Sequence, residues 1–206
     1  MRFRKIVPLN WVSRPWKNGG GSTIQLVIFP EKASLEKGDF LLRVSIASTT
    51  ESGSFSPFPG YDRVLASLET ESLLLKHADR EERLEYLKPY RFSGDEKTDC
   101  ELNGPLARDL NAMIKSDQGS LEMHLLELPA YAKRKVSAAD FTVLFCVRGG
   151  GRFAFPGEGR HPIVHESFEK DVTVAIETDS PSRKFDIEVG AQGAQFLITD
   201  FLTHLG

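Results

Sequence analysis

Cysteine is nearly absent from this chain: its 206 residues include two, Cys100 and Cys146. Two thiols build no disulfide framework, which excludes a small secreted scaffold held by bridges. Cys146 falls in the apolar run Phe141 to Val147 and is expected to be a buried thiol, Cys100 falls in a polar stretch expected to be a loop, and both are expected to be reduced. Histidine is sparse too, with five residues and no H-x-H pair. His161 and His165 are four apart, but Pro162 after His161 breaks the helix face on which such a pair would act. Neither a closed zinc site nor a facial triad follows from the spacing, so no metal and no cofactor is expected. There is no excess of positive charge: 26 Lys and Arg stand against 29 Asp and Glu, for a net charge of −3. A general nucleic-acid binder would show a basic face, so no nucleic-acid partner is expected. The local clusters Arg2/Arg4/Lys5 and Lys133/Arg134/Lys135 read as solvated strand edges. No apolar run is long enough to span a bilayer, and no membrane partner is expected. Ile6-Val7-Pro8-Leu9 is too short for the apolar stretch of a secretory signal, which leads to an expected cytoplasmic location. P-loop, dinucleotide-fold and nucleophile-elbow signatures are all missing.

What the chain has in quantity is period-2 alternation. In Phe40 to Ser48, Leu42, Val44 and Ile46 share one face, while Arg43, Ser45 and Ala47 share the other. Further strands are expected at Val64–Leu68, Leu73–Lys76, Leu121–Leu128, Phe141–Val147, Arg152–Phe155, Val172–Ile176, Phe185–Val189 and Gln195–Phe201. Pro105 to Ile114 is the one helix candidate. A weak internal repeat relates Val64–Leu75 to Val143–Ala154, each a strand, a short turn and a second strand, followed by an acidic turn. That rhythm predicts an all-β bicupin, two jelly-roll halves packed together with little helix. The halves are expected at residues 1–115 and 116–206, divided by the polar segment Lys115 to Ser120.

Four segments carry chemistry. Trp16-Lys17-Asn18-Gly19-Gly20-Gly21-Ser22-Thr23 sets three glycines beside a cation, an amide and a hydroxyl. Glycine lets backbone N–H groups approach a ligand, so the loop suits a small anion; it equally suits a tight turn entering the strand Ile24 to Phe29. Phe55-Ser56-Pro57-Phe58-Pro59-Gly60-Tyr61-Asp62-Arg63 forms an aromatic, proline-stiffened wall ending on an arginine able to grip a carboxylate. Arg91-Phe92-Ser93-Gly94-Asp95 is an acid-marked turn, and Gly104 to Met113 brings Arg108, Asp109 and Asn111 together, as an Arg–Asp brace for a loop or as part of a ligand site.

Taken in order, W-K-N-G-G-G-S-T, R-V-S-I-A, F-S-P-F-P-G-Y-D-R, R-F-S-G-D and G-P-x-x-R-D-x-N-x-M resemble the HutD/Ves family. The resemblance implies a bicupin fold, a homodimer, no catalytic metal and a link to histidine utilisation, with a small carboxylate or formyl compound as ligand. Carried onto this chain, it marks Trp16, Lys17, Asn18, Gly19, Gly20, Gly21 and Thr23, with Arg43, Ser45 and Arg63, as pocket residues. Arg108, Asp109 and Asn111 fall in a supporting loop. The chain departs from the family pattern at Ser93, where a carboxylate is usual, and at Leu110, where an aromatic is usual. The expectation is a binding protein rather than an enzyme, its partner a small anionic metabolite. Lys17 and Arg63 would neutralise the carboxylate, Asn18 and Thr23 would orient a carbonyl or formyl group, and Trp16 and Phe58 would exclude water. Arg43 joins them if its face of the strand points inward, which period 2 leaves open. The competing expectation is a metal-independent enzyme with Lys17, Asp95 or Asp109 as acid or base. A third is an interaction protein with an exposed apolar patch.

Overall fold

Alternating side chains carry more than half of the chain into strands, and a computed structural model describes residues 1–70, 73–157, 163–180 and 183–204. The strands are β1 (Arg2–Ile6), β2 (Ser13–Pro15), β3 (Gly21–Phe29), β4 (Leu42–Thr49), β5 (Gly53–Ser54) and β6 (Tyr61–Ser67). There follow β7 (Leu73–Lys76), β8 (Glu81–Arg83), β9 (Tyr90–Ser93), β10 (Asp99–Leu102), β11 (Ala107–Lys115) and β12 (Gly119–Leu128). The last are β13 (Lys133–Ser137), β14 (Phe141–Phe155), β15 (Val164–Glu169), β16 (Thr173–Glu177) and β17 (Lys184–Thr203). A 3-10 turn at Pro8–Asn10 is the one helical element among the described residues. The expected all-β, jelly-roll-like class is what the chain adopts.

Three local expectations are corrected. Pro105 to Ile114 is no helix: Ala107–Lys115 is the central strand β11, hydrogen-bonded to β4 on one side and β6 on the other. Leu110, Ala112 and Met113 are good helix formers, but pairing on both edges overrides a weak intrinsic preference. Cys100 is not in a loop; it lies on β10 and is buried, as is Cys146 on β14. Gly149-Gly150-Gly151 does not turn the chain. Strand β14 runs through it, with register shifts between Cys146 and Arg148 and between Gly149 and Gly151. Gly149 has φ +92° and its backbone meets the Gly193 carbonyl so closely that a Cβ would lie 1.9 Å from that oxygen. The glycines make bulges rather than a hairpin.

The chain divides into two compact units, one of Met1–Asn10 with Met123–Leu202, the other containing Trp11–Glu122. The division falls at 122/123, and the first ten residues join the C-terminal unit because β1 pairs with β16, from Arg2 opposite Glu177 to Ile6 opposite Thr173. That unit is a seven-stranded sheet in the order β1-β16-β14-β17-β12, with β13 on β17 and β15 on β14. Its interior is aromatic: Phe153, Phe155, Phe168, Phe185 and Phe196 pack with Leu144, Val174, Ile187 and Ile198.

The other unit sets a six-stranded sheet, β2-β3-β4-β11-β6-β9, with a four-stranded one, β5-β10-β7-β8. Leu65 of β6 and Phe92 of β9 pack on Leu73 and Leu75 of β7, so the face carrying Leu65 and Phe92 is the inner one. Register extends that face across the sheet. Phe92 stands opposite Arg63, Arg63 opposite Met113, Met113 opposite Arg43 and Arg43 opposite Ile28. The next row runs Leu65, Asn111, Ser45, Gln25, and the one after it Ser67, Asp109, Ala47, Thr23. Period 2 sends Leu42, Val44, Ile46, Leu110, Ala112 and Ile114 to the opposite face, all buried. The face left open by the sequence pattern is thereby settled: Arg43 and Ser45 point between the two sheets.

Candidate functional site

A jelly-roll interior is ordinarily apolar, as in the C-terminal unit. In the N-terminal unit three adjacent strands, β4, β11 and β6, put Arg43, Ser45, Asp109, Asn111 and Arg63 on the inner face, and every one is buried. Arg63 and Asp109 are 4% and 1% exposed, a degree of burial at which an ionised side chain needs partners.

Those partners are few. The Arg63 guanidinium is walled by aromatic rings, its carbon 4.8 Å from the centroid of Phe92, 5.2 Å from Phe58 and 5.6 Å from Phe55. Ring faces attract a cation and shield it from water at once. Its Nη1 donates to the Ser56 carbonyl over a long 3.4 Å, and its Nε has no partner. Arg43 Nε donates to Gln25 Oε1 at 3.3 Å. Both carboxylate oxygens of Asp109, Asn111 Oδ1, Ser45 Oγ and Thr49 Oγ1 are buried without a hydrogen-bond partner. Such atoms are normally satisfied by protein, water or ligand. Their concentration on one inner face sets this interior apart from scaffold.

Burial dominates the electrostatics. It pushes the Asp109 carboxyl up to about 7, although the Arg63 charge pulls the other way. It lowers Arg43 and Arg63 to about 10; Arg14 lowers Arg43 further, while Asp109 supports Arg63 and Arg43 opposes it. Both arginines stay cationic at neutral pH, so the interior carries more positive than negative charge. A stability effect follows from Asp109. An unfolded aspartate ionises near 3.8 and the folded one at about 7, so below 3.8 both states hold the proton. As the pH rises between these values the unfolded state sheds its proton first, and stability falls by up to about 1.4 kcal/mol per pH unit, then levels off. Asp109→Asn removes this dependence. The stability of the variant relative to wild type, from urea unfolding, is expected to be greater at about pH 8 than at about pH 5. A difference that stays constant across that range contradicts the assignment.

The other expected site residues take different places. The glycine segment joins β2 to β3 as a tight turn. Trp16 Nε1 donates to Thr23 Oγ1 at 2.7 Å, and Trp16 N donates to the Gly21 carbonyl at 2.9 Å. The Gly19 N–H is bound by the Trp16 carbonyl at 3.1 Å and the Gly20 N–H by Asn18 Oδ1 at 3.2 Å. Both N–H groups are thus used within the turn. The Gly20 carbonyl accepts from Thr50 N and Glu51 N, tying the turn to the end of β4. Lys17 and Asn18 are exposed; Thr23 shares the inner row of Asp109. Phe58 is half-buried against Arg63. Arg108 and Asp109 are neighbours on a strand and so face opposite ways, which removes the Arg–Asp brace; Arg108 approaches Glu69 at 3.9 Å instead. Asp95 is exposed and holds a turn, accepting from Gly60 N and Ser93 Oγ at 3.1 Å each. Among the described residues no group of three or more His, Cys, Asp or Glu is placed to hold a metal ion, and His161 lies outside the described residues.

The sequence placed Asp109 and Asn111 in a supporting loop, whereas they stand at the centre of the polar interior. Gln25 and Thr49 were not singled out, and Phe55 and Phe92 were read only as parts of the aromatic wall and the acid-marked turn. Alternation was the available signal: Arg43, Ser45 and Thr49, and Asp109 and Asn111, are polar at period 2 on two strands otherwise rich in apolar residues.

With the geometry in view, the comparisons with known proteins are consistent in kind. The family model HutD matches residues 10–195. Protein Ves from Escherichia fergusonii is 34% identical over 145 residues, covering 69% of this chain and 67% of that protein. Among solved structures, a conserved protein of unknown function from Pseudomonas aeruginosa PAO1 superposes with a TM-score of 0.83 at 23% identity, over 98% of this chain and 100% of that one. HutD from Pseudomonas fluorescens SBW25, in a formate condition, gives 0.77 at 22% identity over 98% and 100%. The jelly-roll-like cupin arrangement extends to solved chains with 9% identity and TM-scores of 0.70 and 0.69. No described helix is long and apolar enough to cross a membrane.

Proposed function

The chain belongs to the HutD family, and we propose that it binds a small carboxylate or formyl compound inside its N-terminal unit and acts in the regulation of histidine utilisation or a related pathway. One observation carries this reading: two buried arginines and a set of unpartnered polar atoms share one inner face. A buried cation without a full set of partners is destabilising, and an anion that accepts from Arg43 and Arg63 relieves that deficit with charge-assisted bonds. Phe55, Phe58 and Phe92 keep water from the guanidinium, which strengthens those bonds. Lys17, Asn18 and Thr23 belong to the same proposal as residues of the entry turn, and the protein is proposed to act as a cytoplasmic homodimer.

The test is a thermal-shift screen with formate, formylglutamate, glutamate, urocanate and related small acids. A ligand that binds only the folded state raises the melting temperature by mass action. A shift with one or more acids is expected; its absence with every acid contradicts the reading. Lys17→Ala is expected to weaken binding only several-fold and to make it less sensitive to salt, because Lys17 is exposed and its charge is screened. An unchanged calorimetric affinity in that variant removes Lys17 from the site.

A second reading, a metal-independent cupin enzyme such as an isomerase, lyase or hydrolase acting on a small acid, is favoured by one observation. The Asp109 carboxyl sits at about 7, where a general acid or base works best. Of the three acid/base candidates it is the buried one, since Lys17 and Asp95 are exposed. Turnover of a bound acid, lost in Asp109→Asn while binding persists, separates this reading from a purely binding role.

A further inference from the structure

Two arginines account for the acid end of a ligand but leave the other polar groups of the same interior unexplained. Asp109 and Asn111 lie two residues apart on β11, so their side chains leave the same face about 7 Å apart along the strand. Ser45 stands directly opposite Asn111 on β4. Both oxygens of Asp109 and the Oδ1 of Asn111 are buried and accept no hydrogen bond. Protonated or not, Asp109 keeps an acceptor oxygen, and Asn111 Oδ1 is another; a carboxylate or formyl oxygen has nothing to donate to either. A plain acid seated on Arg43 and Arg63 would leave these acceptors unpaired.

From this we infer that the ligand carries an N–H or O–H donor beside its acid group, placed to reach Asp109 and Asn111 while the acid meets Arg43 and Arg63. The inference rests on the small-acid reading above and narrows it to hydroxy acids, amino acids and N-acylated amino acids. Selectivity is the physical consequence. A site that hydrogen-bonds a ligand donor rejects the analogue lacking it, because its own buried acceptors are then left unpaired. Asp109 is the selecting residue and Arg63 the affinity residue.

Calorimetric titration with matched acids tests this: lactate and alanine against propionate, and glutamate against glutarate. At least one donor-bearing acid is expected to bind about tenfold or more tightly than its plain partner. In Asp109→Leu, which keeps the branched heavy-atom skeleton and removes the acceptors, that preference is expected to collapse while propionate and glutarate bind as well as or better than to wild type. Equal affinities in all three comparisons overturn the donor requirement and leave the acid reading standing. A preference that survives in Asp109→Leu overturns the role of Asp109. Binding of none of these acids, nor of any acid in the thermal-shift screen, overturns the acid reading and this inference with it. Should Asp109→Leu fail to fold, the matched pairs in wild type decide alone.

Discussion

Replacing Arg63 with methionine is expected to lower acid affinity by about 100-fold or more while leaving the unliganded protein at least as stable at neutral pH. The two halves of that expectation have one cause. Arg63 is nearly fully buried, and its guanidinium is enclosed by Phe55, Phe58 and Phe92 with one long hydrogen bond to a carbonyl. Its burial opposes the charge strongly enough to lower it to about 10. A residue chosen for stability alone would not be a cation there. Methionine fills the same unbranched path and packs well against aromatic rings. It also removes the charge that draws Asp109 down, so that carboxyl stays protonated at neutral pH and leaves no uncompensated buried anion. What the variant loses is the charge-assisted bond to the ligand. Wild-type affinity in Arg63→Met contradicts this placement of the acid, and a large loss of stability in the unliganded variant shows that Arg63 is structural.

The second large effect lies in the glycine turn, where three neighbouring glycines meet different demands. A Cβ on Gly21 would lie 2.4 Å from the Ser48 carbonyl oxygen and 2.9 Å from the Trp16 ring. Neither neighbour gives way readily, since one is backbone within a paired strand and the other is held by its bond to Thr23. Gly21→Ala is expected to lose about 2–4 kcal/mol. At Gly20 the nearest atom would be 3.6 Å away, an ordinary contact, so Gly20→Ala is expected to stay within about 1 kcal/mol of wild type. Gly19 has open space but φ +79°, and alanine there costs about 1 kcal/mol in backbone strain. Urea midpoints of the three variants check the order. Equal losses at Gly20 and Gly21 would mean that the turn is not packed as described.

How much of this was legible in the sequence depends on the kind of information each feature needs. Strand content was readable because alternation is local: Leu42, Val44 and Ile46 against Arg43, Ser45 and Ala47 is a strand in any context. The type of β11 was not, because Leu110, Ala112 and Met113 favour helix and the two flanking strands that overrule them are distant in sequence. Gly149–Gly151 read as a turn because a bulge differs from a turn only in what its partner strand does, and that partner, β17, is some forty residues on. The candidate site divides the same way. Glycine and tryptophan in the β2–β3 turn draw attention by composition, yet their polar groups are mostly engaged with one another. Asp109 and Asn111 draw attention only with Arg108, as a loop brace or part of a ligand site, since an Asp and an Asn near a Gly-Pro pair look like loop residues. Their role emerges once register fixes which side of β11 faces Leu65 and Phe92. Desolvation, the property that makes Asp109 unusual, belongs to the packed sheet and has no signature in the residues themselves.

The most direct measurement is a crystal structure of the protein grown with formate, lactate and glutamate at high concentration. An acid anion is expected in the N-terminal interior, its oxygens on Arg43 and Arg63 and its donor, where it has one, on Asp109 or Asn111. Ordered water alone among those four side chains, in an otherwise intact fold, would contradict that expectation.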